Sequence, residues 1–229
     1  VIPLAVTAMS AAIVLGLLGV LTPTQVFAGL SNPTVVLFAG MFIIGAAMFR
    51  TGLAQQIGIA VVRRSGTNER ALMAALMLIT IILSSVSSNT ATVACLMPVV
   101  IQICAAARLP VSPQLMALAV AANVGGTITM IGTPPNIIML GFLDQMANIH
   151  ISFFEWMTWG VIAMVAYFII AYVVLIRMFP PDVERIDGAE EFIRARVAEL
   201  GGWTRAQKNT LFCFLVAVFL WVFPGILSM

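Results

Sequence analysis

Apolar residues run through this chain in long stretches, and polar residues interrupt them at few places. Residues 2–21 (IPLAVTAMSAAIVLGLLGVL) form one such stretch, followed by the more polar TPTQVFAGLSN. Residues 33–49 form a second, which bends at Arg50-Thr51-Gly52 and continues as an interfacial helix to Arg64. Residues 71–107 and 113–147 are longer and each is broken once, by SSVSSNTATV at 84–93 and by GGTITMIGTPPN at 125–136. Residues 156–178 form a clean apolar span closed by Arg177, residues 179–208 are polar with an amphipathic helix over 182–200, and a further apolar run begins at 209. A spanning helix needs about 20 apolar residues. The pattern predicts an all-α integral membrane protein, and the lack of strictly alternating strands of ~10 residues argues against a β-barrel.

Composition agrees: 62% of the 229 residues are hydrophobic and 9% charged, against about 25% charged in soluble domains. Cys95, Cys104 and Cys213 lie in apolar runs without metal-ligand spacing and read as small buried hydrophobes. His150 stands alone in a polar connection. No hydrolase triad, Gly-rich phosphate loop or basic nucleic-acid patch is present. Apart from Arg50, no ionisable residue falls inside a span, which argues against an enzyme and leaves no nucleic-acid partner in view.

Charge placement gives orientation. Arg63, Arg64 and Arg70 precede the 71–107 stretch and Arg108 follows it. Arg177, Arg185, Arg194, Arg196, Arg205 and Lys208 surround the polar segment, whereas the connections 22–32 and 144–155 contain no Lys or Arg. The positive-inside rule places the basic loops in the cytoplasm of a cell whose inner membrane holds the chain, with Arg50 snorkelling to the same face. Both ends of 71–107 are then inside. A single helix of these 37 residues would be ~55 Å long against a ~30 Å hydrocarbon core. A re-entrant hairpin with the SSNTAT block at its tip resolves the conflict, because irregular backbone at depth is tolerated only when buried in protein or lining a wet cavity. Residues 113–147 start inside and end outside, so they cross once, with Gly132-Thr133-Pro134-Pro135 as the break.

Two interrupted helices predict a site at the membrane midplane. Helix ends near Ser84 and Ile131 offer unsatisfied carbonyls to a cation, and helix starts near Thr90 and Pro135 offer amides to an anion. Ser84 and Ser88 are spaced i, i+4, so one helical turn can aim both hydroxyls at one point. Asn89 carries an acceptor and two donors. Without Lys or Arg at either break, an anion must be held by amides, hydroxyls, helix dipoles and a co-bound cation. Read blandly, the same Ser, Thr and Gly residues are interhelical packing and the prolines a kink.

Ser88-Asn89-Thr90 followed by Ala91-Thr92, and then ANVGGTITMIGTPPN at 122–136, resemble the paired motifs of the divalent anion:sodium symporters, a family similar to the citrate-transporter permeases. The segment AELGGWTRAQKNTLFCFLVAVFLWV resembles that family's entry into its second repeat. The resemblance implies a homodimeric secondary transporter built from two inverted repeats, each with a re-entrant hairpin and a discontinuous helix. It implies a Na⁺ site formed by Ser84, Ser88, Asn89 and the carbonyl of Gly132, and carboxylate contacts from Asn89, Thr90, Thr133 and Pro134. Residues 1–70 would be scaffold spans and interfacial helix, 71–147 the transport region, 148–208 a scaffold span with a cytoplasmic amphipathic segment, and 209–229 the start of the second repeat. Substrates would be small carboxylate anions of the succinate, malate and citrate class. No second SNT or GTPPN occurs in these 229 residues, so the chain is expected to be the N-terminal half of a longer carrier. The alternatives are a sodium-independent dicarboxylate or sulfate exchanger of the same fold, or a membrane scaffold that transports nothing.

Overall fold

The computed structural model describes residues 3–31, 33–62, 68–180, 198 and 201–227, and among them every regular element is helical. The chain divides into two compact units, Val1–Gly40 and Met41–Met229.

The first unit holds α1 (Leu4–Leu17) and the short α2 (Pro23–Ala28), which continues into a 3₁₀ turn at Gly29–Ser31. The polar connection after the first apolar stretch thus contains a helix. Its start is a capping box: Thr22 Oγ1 accepts from the Gln25 amide at 3.4 Å, and the Gln25 side chain accepts from the Thr22 amide at 2.8 Å. The helix α3 (Pro33–Arg50) runs from the first unit into the second.

The second unit begins after a sharp turn. Gly52 has φ 74, a value that glycine adopts freely, and it ends α3 where the sequence bends. The next helix, α4 (Leu53–Val62), is not an interfacial strip at its start, because Leu53 and Ala54 have no exposed surface. They join the side chains of Leu72, Leu76 and Val100 in one apolar cluster. Then come α5 (Glu69–Ser84) and α6 (Asn89–Ala107), separated only by Ser85–Ser88. Asn68 caps α5 by accepting from the amides of Arg70 and Ala71 at 2.9 and 3.3 Å. Arg108 closes α6 in a left-handed conformation, φ 54.

After α7 (Val111–Gly126) the chain leaves helical geometry at 127–133 and resumes as α8 (Pro134–Ala147). The expected break is present, but α7 stops at Gly126 rather than near Ile131. The long α9 (Phe153–Met178) starts at a second capping box, Ser152 with Glu155. It has 26 residues and a mean hydropathy of 2.5, and among the described residues it alone passes the length and apolarity test for a spanning helix. The last described helix is α10 (Arg205–Leu227). The amphipathic segment expected at 182–200 and the arginines at 63, 64, 185, 194 and 196 lie outside the described residues.

α7 packs most extensively on α5 and α6, so the broken helix is the spine of this unit. A second apolar cluster joins Met77 and Ile81 of α5, Ala117 and Ala121 of α7, and Leu175 of α9. Many large apolar side chains face outward, Ile162, Ile169 and Ile170 of α9 among them. In lipid such burial and exposure cost nearly the same, so close approach of small residues carries the packing instead. Gly125 illustrates it: a Cβ there would sit 2.5 Å from the Ile81 carbonyl oxygen and 2.8 Å from Ile81 Cα. The backbones of α7 and α5 touch where α5 ends.

Candidate functional site: two helix breaks in contact

The two breaks meet. Ser84, the last residue of α5, is fully buried. Its Oγ lies 2.7 Å from Asn89 Oδ1, at the start of α6, and 2.7 Å from the Ala122 carbonyl, in the last turns of α7. One hydroxyl proton cannot serve both acceptors. The cluster thus holds more oxygen lone pairs than protons, which suits a hard cation with oxygen ligands. Asn89 is held in place by its other end, whose Nδ2 donates to Asn123 Oδ1 at 3.1 Å. A third link runs directly between the interruptions, where the Thr129 hydroxyl donates to the Ser85 carbonyl.

Two glycines let the tips approach. A Cβ on Gly126 would lie 2.7 Å from Asn89 Oδ1. A Cβ on Gly132 would lie 2.6 Å from the Gly126 carbonyl oxygen and 2.9 Å from Gly126 Cα. The linker 127–133 thus folds back on the end of α7, and the buried Gly132 comes next to the glycine that supports Asn89.

Ser88 takes a different role from the one its spacing suggests. Residues 85–88 are not helical, so Ser84 and Ser88 do not share a helical face. Ser88 is the N-cap of α6, φ −64 and ψ 142, and its hydroxyl accepts from the Ala91 amide at 3.2 Å. The neighbouring hydroxyls are spent locally: Ser85 donates to Ile82 O at 2.8 Å, and Ser87 to Leu83 O at 2.9 Å.

The two helix starts are unequal. In α6 the Ala91 amide is capped, while the first-turn amides of Asn89 and Thr90 have no helical acceptor. In α8 the first two positions are Pro134 and Pro135, which have no amide proton, and the Asn136 amide turns back to Thr133 O at 3.2 Å. The first two positions of α8 therefore offer no amides, a correction to the expectation of amides at both starts, and the donors on that side reduce to Thr133. Thr133 occupies the N-cap position with no side-chain capping bond, half-buried, and Thr90 and Pro134 are exposed. These three residues border the tips without joining the hydrogen-bond network around Ser84 and Asn89.

Sequence reasoning missed Asn123 and Asn136. Asn136 Nδ2 donates to the carbonyls of Gly126 at 2.8 Å and Thr129 at 2.9 Å, closing the break upon itself. The signal was visible as isolated amides in apolar surroundings, a type that is expensive in lipid unless paired. Trp156 of α9 was missed as well. Its Nε1 donates to the Thr127 carbonyl at 3.2 Å, and a Cβ on Gly160, one turn on, would strike the Ile128 backbone. Beside the tips lies an almost wholly apolar cavity of about 270 Å³ lined by Val86, Ile128, Ile131, Met157 and Phe214 among others. Its hydroxyl residues, Ser85 and Thr129, both donate to backbone carbonyls.

The model of a family described as citrate transporter matches residues 1–229 of this sequence. The chain belongs to the citrate transporter family. The membership agrees with the resemblance carried by SNT and GTPPN. Curated proteins similar to this family member include the sodium-dependent high-affinity dicarboxylate transporter 3 of Caenorhabditis elegans, 31% identical over 250 residues, covering 99% of this chain and 44% of that protein. The sodium-dependent dicarboxylate transporter SdcS of Staphylococcus saprophyticus is 31% identical over 235 residues, covering 96% of this chain and 45% of its own length. SdcS of Staphylococcus aureus strain USA300 is 30% identical with the same coverage, 96% and 45%. The chain spans less than half the length of these relatives.

Proposed function

We propose that this chain is the N-terminal part of a secondary active transporter that moves small di- or tricarboxylates across a membrane together with Na⁺. The observation that carries the reading is the meeting of two helix breaks around Ser84, Asn89 and the Ala122 carbonyl. Three oxygens with one hydroxyl proton among them suit a cation. The adjacent free amides of Asn89 and Thr90 suit an anion. Na⁺ would supply the positive charge that offsets a carboxylate and the gradient that drives its uptake. In this reading Ser84, Asn89 and the Gly132 carbonyl hold the ion, Ser88 serves it by fixing the first turn of α6, and Asn89, Thr90, Thr133 and Pro134 border the carboxylate.

Several features extend the proposal. α5 and α6 would form a re-entrant hairpin, since α5 is 16 residues long and reaches only ~24 Å, short of the ~30 Å core. Arg70 and Arg108 would lie on the cytoplasmic side. The transport region would extend past 147 to take in α9, because Trp156 bonds the break and the Tyr172 hydroxyl donates to the Arg70 carbonyl at 3.1 Å. The remaining scaffold division, the pairing with a second inverted repeat and the homodimer belong to the proposal on family grounds alone.

Uptake of labelled succinate, malate and citrate by the full-length protein in vesicles, with an inward Na⁺ gradient or with K⁺ replacing it, tests the reading. Uptake that needs Na⁺ and drops in Asn89→Ala is the expected result. Carboxylate exchange indifferent to Na⁺ would replace it with a sodium-independent exchanger, and no uptake of any kind would sink the carrier altogether.

A further inference from the structure

We infer that Asn136 is a positioning residue for the coupling ion: its side-chain amide staples the break between α7 and α8 into the one shape that leaves the Gly132 carbonyl free. The inference rests on the carrier reading above for the ion, and on the hydrogen bonds alone for the staple.

A helix C-terminus leaves its last carbonyls without partners. At the end of α7 nearly all of them are taken. Val124 O accepts from the Thr127 amide at 3.2 Å and from its hydroxyl at 2.8 Å, and Gly125 O accepts from the Ile128 amide at 3.1 Å. Thr127 O accepts from Trp156. Gly126 O and Thr129 O accept from the same atom, Asn136 Nδ2. An atom facing two carbonyls must be the amino end of the amide, and both of its protons are used. Thr129 O also accepts from the Gly132 amide at 3.2 Å, and Thr133 O from the Asn136 amide at 3.2 Å. The Gly132 carbonyl lies between these two satisfied groups and, like those of Ile128, Met130 and Ile131, receives none of the linker's turn bonds.

Asn136 sits in the first turn of α8, directly after two prolines, so its own backbone is rigid. A half-buried side chain on that fixed base holds the end of α7 and the first half of the linker at once, through Gly126 and Thr129. Losing the amide would leave the Gly126 carbonyl unpaired and the Thr129 carbonyl with the Gly132 amide alone, and the linker would reorganise to satisfy them. The Gly132–Gly126 backbone approach, with no room for a Cβ, would go with it. Asn136 itself does not face the Ser84–Asn89 oxygens with a free donor, so it acts through the linker.

Two readouts on the full-length protein test this with Asn136→Ala and the isosteric Asn136→Asp. Hydrogen exchange followed by mass spectrometry reads the staple: loss of its hydrogen bonds predicts about tenfold faster exchange across 127–133 in both variants. Exchange in α5 should stay at the wild-type rate. Sodium titration of succinate uptake reads the consequence: the half-saturating Na⁺ concentration rises about tenfold, while half-saturating succinate at saturating Na⁺ hardly moves. Unchanged exchange across 127–133 overturns the staple. Faster exchange with an unchanged Na⁺ titration overturns its link to the ion. Tighter Na⁺ dependence in Asn136→Asp also overturns it, by making Asn136 a ligand. Wild-type uptake indifferent to Na⁺ defeats the carrier reading and the ion half of this one, and exchange then still decides the staple.

Discussion

The side-chain oxygen of Asn89 rests against Gly126: a Cβ on that glycine would lie 2.7 Å away. An asparagine at one helix start is thus seated on a glycine at another helix end. The seat leaves Asn89 little freedom, since Ser84 and Asn123 hold its two polar atoms.

Gly126→Ala should uncouple assembly from transport. The added methyl meets the end of a side chain, which can shift, so the protein is expected to reach the membrane in normal amount. Displacing the Asn89 amide from its partly buried hydrogen bond to Ser84 costs about 1 kcal/mol or more, and Na⁺-dependent uptake should fall about tenfold or more. Surface quantification alongside uptake checks both halves.

Gly125→Ala is expected to be worse for the fold. Its methyl meets the backbone of Ile81, 2.5 Å from the carbonyl oxygen, which cannot step aside without moving α5. Overpacking of this kind costs about 1–3 kcal/mol, visible as a lower thermal midpoint in detergent. Gly141→Ala is the control: a methyl there would meet no atom within 4 Å, and alanine in a helix gains about 0.5–1 kcal/mol over glycine. Its midpoint should hold or rise.

Trp156→Phe removes the donor to the Thr127 carbonyl while keeping an aromatic ring. A net loss of about 1 kcal/mol is expected. Proteolysis or exchange near residue 127 should increase, whereas exchange at the Ser84–Asn89 tip should not.

Asp144→Asn should change nothing measurable. Asp144 Oδ1 and His150 Nδ1 lie 2.6 Å apart, but both side chains are exposed, at 53% and 73%. Exposed pairs are worth about 0–1 kcal/mol, so midpoint and uptake are expected to match wild type.

Much of this architecture was readable in the residues. The turn at Thr51-Gly52, the interruption after Ser84 and the double proline that begins α8 all follow from local chemistry: a glycine with positive φ, a run of hydroxyls that compete for backbone, and missing amide protons. What was not readable depended on partners distant in sequence. The i, i+4 spacing of Ser84 and Ser88 has meaning only inside a helix, and Ser88 is instead a cap. Asn136 became visible as a staple only once the end of α7 was seen to lie within its reach. The buried face at the start of α4 was hidden because an apolar helix reads alike whether it meets lipid or protein.

The tandem prolines have a consequence for how a guest would sit. A carboxylate settling between the tips could be gripped by first-turn backbone amides from one side only, those of Asn89 and Thr90, because the opposite helix opens with two prolines and offers instead the hydroxyl of Thr133. Its grip is lopsided by construction, and whatever moves the first turn of α6 would carry the cargo along.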